Sequence, residues 1–586
     1  MTLTEHYYEF GPFRLFPSAR QLLRNGEPVL LTAKVFDLLL VLVENHNLLL
    51  ERAQLMKALW PTAIVEESNL TQTVFVLRKI LGDNQQGTRF ITTVPGRGYR
   101  FIAPVQEVGR NGDIREAVLQ KYSLRLSHAF TSLAVLPLKY LGPSRSNSPL
   151  GTGIADSVIA TLSNNRRLIV RPTTAVLKYD EAGQDPMQAG RDLQVDAIVD
   201  GTIQQLGEKI RVSVQLISVS DGMTLWAGRY DDALTDMFAV QDAIAEQIAR
   251  ELRLELIHSG QRRFAGNYTD NLEAWQLYIR SRYFQDKRNE DGLRRSIDYA
   301  EQVIALAPQF AMGYVSLADS YCLLGEYLFL APDEAFPQAR AAINQALSLD
   351  AQLAEAHATL GEIHHYYDRA WVEAEREYRT AIELNPNYAS AYHWYAWLLM
   401  NWGRGDEAID HLRFAQRIDP VSLAVKTVLG LPYYFRGEYE QAAKYYREAL
   451  EMDPHYAPAH YYLGNALKLQ GKYDEAILEF ERDAPEHGQQ ALAHIAHTLA
   501  VAGRTSEARA RLQELLTLSQ QRYVSPYCLA LVYLGLGEIE TALDYFDQGL
   551  HGHATWMSFL RSDPLFEPLR HDARFIALLQ RAGLSN

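Results

Sequence analysis

The sequence predicts a multidomain chain: an α+β domain at the N-terminus, an α/β domain in the middle and an all-α solenoid over the C-terminal half. Three observations carry that prediction. Residues 67–101 read as a helix followed by a hairpin, ESNLTQTVFVLRKILG and then FITTVPGRGYRF. Residues 130–257 alternate β-rich runs with helical ones. From about Asn271 onward, prolines and small residues recur every 34 positions. At 586 residues, 47% apolar and 22% charged, the chain is globular and too long for one core, so roughly three to five units are expected.

The N-terminal domain is expected over residues 1–105. YYEF, FRLF, RQLLR and PVLL read as short strands broken by Gly11-Pro12, Pro17-Ser18 and Asn25-Gly26. Thr32 is placed to cap a helix that turns Val35, Leu38, Leu39, Leu42 and Val43 inward. Glu51–Trp60 forms a second helix, ended by Pro61. In the third helix Leu70, Val74, Leu77 and Leu81 share one face; Ser68 and Asn69 suit its start and Gly82 its end. The opposite face carries Thr71, Gln72, Phe75, Val76 and Lys79, with Arg78 at its edge. Hydrogen-bonding groups, two apolar groups and two cations are what a helix needs to read base edges and phosphates in a major groove. The following strands turn at Pro95-Gly96-Arg97-Gly98 and return through Tyr99-Arg100-Phe101, putting an arginine at the tip of a wing.

LRKILG followed by TTVPGRGYRF resembles the winged-helix DNA-binding domain of OmpR/PhoB-type regulators, closest to the ToxR/CadC-like branch with that domain at the N-terminus. The resemblance implies that Thr71, Gln72, Phe75 and Val76 face the major groove, with Arg78 and Lys79 at or near phosphates. It puts Thr92 and Thr93 near the backbone and Arg97 in the adjacent minor groove, and counts Asn69, Tyr99 and Arg100 among the DNA-contacting residues. It implies double-stranded promoter DNA as partner, RNA polymerase or phosphate as the contact of the loop over 62–67, and pairing of two copies on tandem half-sites. Phe75 and Val76 stand where PhoB-like helices often carry arginines, so readout is expected to lean on thymine methyls. An OmpR-type receiver is not expected ahead of the first strand, nor is phosphoaspartate switching.

The charge distribution agrees. The chain carries −14 overall, yet residues 1–105 carry eleven Lys/Arg against nine Asp/Glu. A local basic patch on an acidic body fits an N-terminal DNA reader and argues against indiscriminate binding to nucleic acid or membrane. With only Cys322 and Cys528, no disulfide framework is implied and a reducing cytosol fits. The start has no signal-peptide pattern, and no apolar run is long enough to span a bilayer. The expectation is a soluble, cytoplasmic protein, unlike the membrane-anchored members of that branch.

Residues 106–129 read as a polar linker. In 130–257, LAVLPL, LIVRP, AIVDGTI and IRVSVQLISV are strand-like, while Asp156–Asn164 and Phe238–Leu256 are helical. This stretch resembles the TolB N-terminal-like domain, which passes little function across. Over 271–586, Pro386, Pro420 and Pro454 are spaced by 34, as are Gly403, Gly437 and Gly471, and Ala374, Ala408, Ala442 and Ala476. That is the tetratricopeptide pattern, about eight units with a cap near Trp556–Leu584, stacked to bury faces no single unit can bury. Their stacking is expected to leave an extended concave surface for a protein or small-molecule ligand. Two irregularities stand out: a longer turn near Leu328–Pro337 and a shortened unit after Pro485.

No enzyme emerges. Gly151-Thr152-Gly153 lacks the Gly-Lys-Ser/Thr of a phosphate loop and reads as a turn opening a helix. His364-His365, His494/His497 and His551/His553 lack a completing ligand set, and no cofactor is expected. Cys322 and Cys528 read as core. The aromatic wealth of the repeats (YHWYAWLLMNW, HYYLG) suits packing first and a ligand groove second. The expected function is a sequence-specific transcription regulator whose repeats sense or recruit a partner. The alternative is a repeat scaffold whose winged helix contacts protein rather than DNA.

Overall fold

The computed structural model describes residues 6–17, 20–29, 31–60, 67–83, 90–94, 97–109, 130–141, 150–179, 185–206, 209–233, 237–252, 269 and 271–584. The chain divides into two compact units, 1–256 and 257–586.

The first unit opens with strands β1 (His6–Phe10), β2 (Phe13–Phe16), β3 (Gln21–Arg24) and β4 (Glu27–Val29). Helices α1 (Ala33–Glu44), α2 (Arg52–Leu59) and α3 (Glu67–Leu81) follow, with the short strand β5 (Leu50–Glu51) before α2. The hairpin β6 (Ile91–Val94) and β7 (Gly98–Phe101) is the wing, and β5 adds to it in the order β5-β7-β6. Thr32 caps α1 as its position predicts, accepting from the Val35 N–H; Glu51 closes a capping box on α2. Two expectations are corrected. Helix α3 begins at Glu67, so Ser68 and Asn69 lie inside its first turn rather than capping it. And a strand β8 (Gln106–Gly109) pairs antiparallel with β1, completing the sheet β4-β3-β2-β1-β8, so residues 106–109 belong to this fold and not to a linker. Residues 110–129 and the loop over 61–66 lie outside the described residues.

Its core is one cluster: Phe10, Phe13 and Phe101 meet edge-on and stacked, and Leu38, Leu39 and Leu42 of α1 face Leu70, Val74 and Leu77 of α3. Gly98 is fixed by space: a Cβ there would lie 2.0 Å from the Leu50 carbonyl oxygen, where β5 crosses the wing.

The middle of the unit is a mixed sheet. Its elements are β9 (Ser132–Val135), β10 (Lys139–Tyr140), α4 (Leu150–Ser163), β11 (Ile169–Val170), α5 (Thr173–Val176), α6 (Pro186–Asp192), β12 (Ala197–Leu206), β13 (Lys209–Ser218), β14 (Thr224–Ala233) and α7 (Met237–Glu251). The order is β11-β9-β12-β13-β14, with β11, β9 and β12 parallel and β12, β13 and β14 antiparallel. Helix α4 starts six residues earlier than Asp156, so Gly151-Thr152-Gly153 is helical rather than a turn. A Cβ on Gly151 would sit 1.9 Å from the Leu138 carbonyl oxygen, so the glycine permits close helix packing and forms no phosphate cradle.

In the second unit the described helices pair into eight hairpins, from Leu272–Gln285 with Glu290–Leu306 to Pro526–Gly535 with Ile539–His551. Alanines recurring at 34 are buried where helices cross: Ala374, Ala408, Ala442 and Ala476 are all fully buried, as are Cys322 and Cys528. The two irregularities have physical causes. Pro332 and Pro337 fall within one helix, Pro332–Leu349, so the long spacing comes from a longer helix and a five-residue link with Leu328 at φ +63°. After Tyr473 the turn is lost, and a single 29-residue helix, Tyr473–Val501, serves two neighbouring hairpins.

The expected open concave surface is also corrected: the solenoid closes on itself. The C-terminal segment reaches the early repeats through Trp556 Nε1, which donates to the Glu326 carbonyl at 3.1 Å, and Thr555 Oγ1, which donates to that of Gly325 at 3.2 Å. Trp371 Nε1 donates to the Ala582 carbonyl at 3.3 Å, and Gln489 Nε2 to that of Leu328 at 2.7 Å.

Candidate nucleic-acid interface

Helix α3 is anchored in its own domain's core along one face. Leu70, Val74, Leu77 and Leu81 are at most 2% exposed, against α1 and α2. The face opposite is solvated: Thr71, Gln72 and Lys79 are exposed, and Phe75 keeps 62% of its surface in water. Phe75 is the apolar member of an otherwise polar face made by Thr71, Gln72 and Lys79. Val76 is half-buried and packs on the domain core, so it is set back from that face, and Asn69 is half-buried in the first turn.

Arg78 departs most from its expected role. Its Nη2 donates to the Ile91 carbonyl at 3.0 Å and to Thr93 Oγ1 at 2.8 Å, and its Nε lies 3.9 Å from Asp83. Asp83 in turn accepts from the Ile91 N–H at 2.9 Å. Arg78 and Asp83 therefore stitch the end of α3 to the first strand of the wing. Gly82, at φ +73°, ends the helix so that Asp83 can reach back.

On the wing, Thr92 pairs with Arg100 and Thr93 with Tyr99 across β6 and β7. Tyr99 is 3% exposed and belongs to the core, which removes it from any contact surface. Alternation explains the error: Tyr99 and Phe101 point inward and Arg100 between them points out. Arg100 is half-buried with its Nε unpaired. Arg97 is exposed at the tip; its N–H donates to the Val94 carbonyl at 3.0 Å, closing the turn, and its own carbonyl accepts from Arg52. The structure thus brings Thr71, Gln72, Phe75 and Lys79 together on one helix face and Arg97 and Arg100 on the adjoining wing.

Two participants were not read from the sequence. Asp83 gave no signal beyond following Gly82. The other is the β13–β14 hairpin: Met223 packs on the winged-helix core, and Met223–Ala227 form a crevice with Asn69, Gln72, Thr73 and Val76 of α3. No local pattern marks such a long-range contact. Among the described residues no group of His, Cys, Asp or Glu is arranged to hold a metal, and no helix is long and apolar enough to cross a membrane.

Comparison with known proteins agrees with this geometry. Residues 26–101 match the family "Transcriptional regulatory protein, C terminal", and 377–410 and 427–491 match tetratricopeptide repeat families. Residues 129–249 match "HilA/YgeH-like transcriptional regulator, second domain". The transcriptional regulator HilA of Salmonella typhi is 22% identical over 71% of this chain and 71% of its own length. The transcriptional activator CadC of Escherichia coli is 35% identical over 16% of this chain and 19% of its own. A putative adenylate cyclase 3 of Rhizobium meliloti is 27% identical over 39% of each chain. This chain thus spans about two fifths of that last relative.

Proposed function

We propose that this chain, an OmpR/PhoB-type winged-helix regulator with tetratricopeptide repeats, binds promoter DNA sequence-specifically through α3 and the wing. The observation that carries the reading is Gln72, Phe75 and Lys79 exposed on one face of α3 beside Arg97 on the wing. In this reading Thr71 and Gln72 meet base edges, Phe75 meets thymine methyls, Lys79 and Arg100 meet phosphates, and Arg97 enters the minor groove. Asn69, Val76 and Thr92 border the contact; Arg78 and Thr93 hold the wing at its angle to the helix. A major groove about 12 Å wide leaves no room for a protein strand beside the helix, so the β13–β14 hairpin withdraws from Gln72 when DNA enters.

The protein acts in the cytoplasm, without catalysis of its own, and the repeats carry the partner contact. Two copies pair on tandem half-sites, and RNA polymerase is met through the loop ahead of α3. The test is selection of bound sequences from a random duplex pool with the full chain. A recovered motif, lost at particular positions in Gln72→Ala and weakened uniformly with a shallower salt slope in Lys79→Ala, supports the assigned roles. No motif, and no binding at low salt, leaves the repeat scaffold as the better reading.

A further inference from the structure

Where the C-terminal segment meets the repeats, three stretches of the second unit enclose a cavity of 380 Å³. That size falls within the range of small-molecule sites, about 300–1,000 Å³. We propose that this cavity binds a small organic phosphate, a phosphate monoester on a compact apolar body.

The cavity exists because one repeat lacks a ring that its neighbours carry. Four successive helices begin at Trp371, Gly405, Tyr439 and Tyr473, each 34 residues after the last. The aromatic residue at this register position is filler: Trp371 is buried, and Tyr439 packs on Tyr434 at 5.9 Å. Gly405 leaves the place open. A Cβ built on it meets nothing nearer than Arg436 Nη2, at 3.6 Å.

Three arginines line the opening, Arg436 from the following repeat and Arg561 and Arg570 from the C-terminal segment. Arg561 reaches over the turn, with its Nη2 3.4 Å from where a Cβ on Gly403 would stand. Arg570 is held in place from behind: Nη1 donates to the Arg561 carbonyl at 2.6 Å and Nε to Glu567 at 2.6 Å. Asp406 is the one carboxylate in the lining, and it pairs with Arg436 while its side chain stays 93% exposed. An ion pair that solvated contributes little, so a guest carrying more charge displaces it readily. Asp563, which also feels Arg570, is pushed by burial toward its neutral form and accepts from Tyr434 at 3.0 Å. Three guanidiniums therefore stand against two solvated carboxylates, Asp406 and Glu567, on a chain that is acidic overall.

That surplus favours an anion, and its layout favours phosphate. A phosphate monoester carries close to two charges and three strong acceptor oxygens, enough for arginines arriving from two segments. A carboxylate carries one charge in a plane and satisfies one guanidinium fork. The floor is apolar, made by Met400, Pro432 and Phe435, and suits a compact hydrocarbon body next to the charged group. The site rests on the second unit alone and stands whether or not the first reads DNA.

The experiment is calorimetric titration of the full chain, at about 0.15 M ionic strength, with phenyl phosphate, inorganic phosphate and benzoate. Phenyl phosphate should bind saturably and at least about tenfold more tightly than benzoate, with inorganic phosphate between them. Gly405→Tyr restores the ring of the neighbouring repeats and should abolish binding while the thermal melt stays cooperative. Arg436→Gln, at an exposed position that the fold does not need, should weaken phenyl phosphate about tenfold and keeps the test open if the tyrosine variant does not fold. Asp406→Asn removes the competing carboxylate and should strengthen binding several-fold. No saturable binding of phenyl phosphate, benzoate binding as tightly, or wild-type affinity in both Gly405→Tyr and Arg436→Gln would overturn the proposal.

Discussion

Phe75 and Phe480 show how differently the winged helix and the repeats use an aromatic side chain. Phe75 sits on a helix anchored along one stripe and keeps 62% of its surface exposed. Phe480 is fully buried, with Gly464 so close that a Cβ there would lie 2.7 Å from its ring. The winged helix holds its chemistry outward on a small, locally ordered frame. The repeats turn theirs inward, so that burial, and any ligand, depends on helices far apart in sequence. Contact surface and core are separable in the first region and merged in the second.

That difference can be broken most forcibly at Phe480. Phe480→Ala should cost about 3–5 kcal/mol of repeat stability, read by denaturant unfolding, while the salt slope of DNA binding stays as it was. Phe75→Ala should do the reverse: unfolding unchanged, and about 1–3 kcal/mol lost in discrimination at T-containing positions by competition binding. Met223→Asp puts a charge where the hairpin meets the winged-helix core and should raise DNA affinity of the full chain several-fold, roughly 1 kcal/mol. Unchanged or weaker binding would mean that the hairpin is no obstacle.

The smallest effect is a pH dependence confined to the repeats. His357 Nδ1 lies 2.7 Å from Glu377, and that hydrogen bond, against some loss to burial, holds the imidazolium above its usual range. A raised folded value means the contribution is complete below about pH 6.5 and fades as pH rises through the raised value. The pair is partly solvated, so the loss should be under about 1 kcal/mol. It should appear as a melting temperature that falls with pH in the wild type more than in His357→Gln.

Legibility followed the range of the interactions. The stripe Leu70, Val74, Leu77 and Leu81, the Thr32 cap and the 34-residue register of Ala374, Ala408 and Ala442 are local patterns, and each stands where its period puts it. Tyr99 was misassigned because a strand's two faces differ by one position, and only packing shows which face is inward. The positional role of Arg78 is not legible in the sequence, because a guanidinium suits a phosphate and a carboxylate equally. Only the tertiary structure shows its contacts to Asp83 and the Ile91 carbonyl.

By itself, then, the sequence determined the three kinds of architecture, the helix meant to read DNA and the repeat length, because helical, strand and repeat periods are written in neighbouring residues. Tertiary structure alone decided that β8 completes the first sheet, that a hairpin lies against the reading helix, and that the solenoid closes on itself. Each of those joins residues from about 100 to over 200 positions apart, and such contacts are fixed by the sum of many burials rather than by any local pattern.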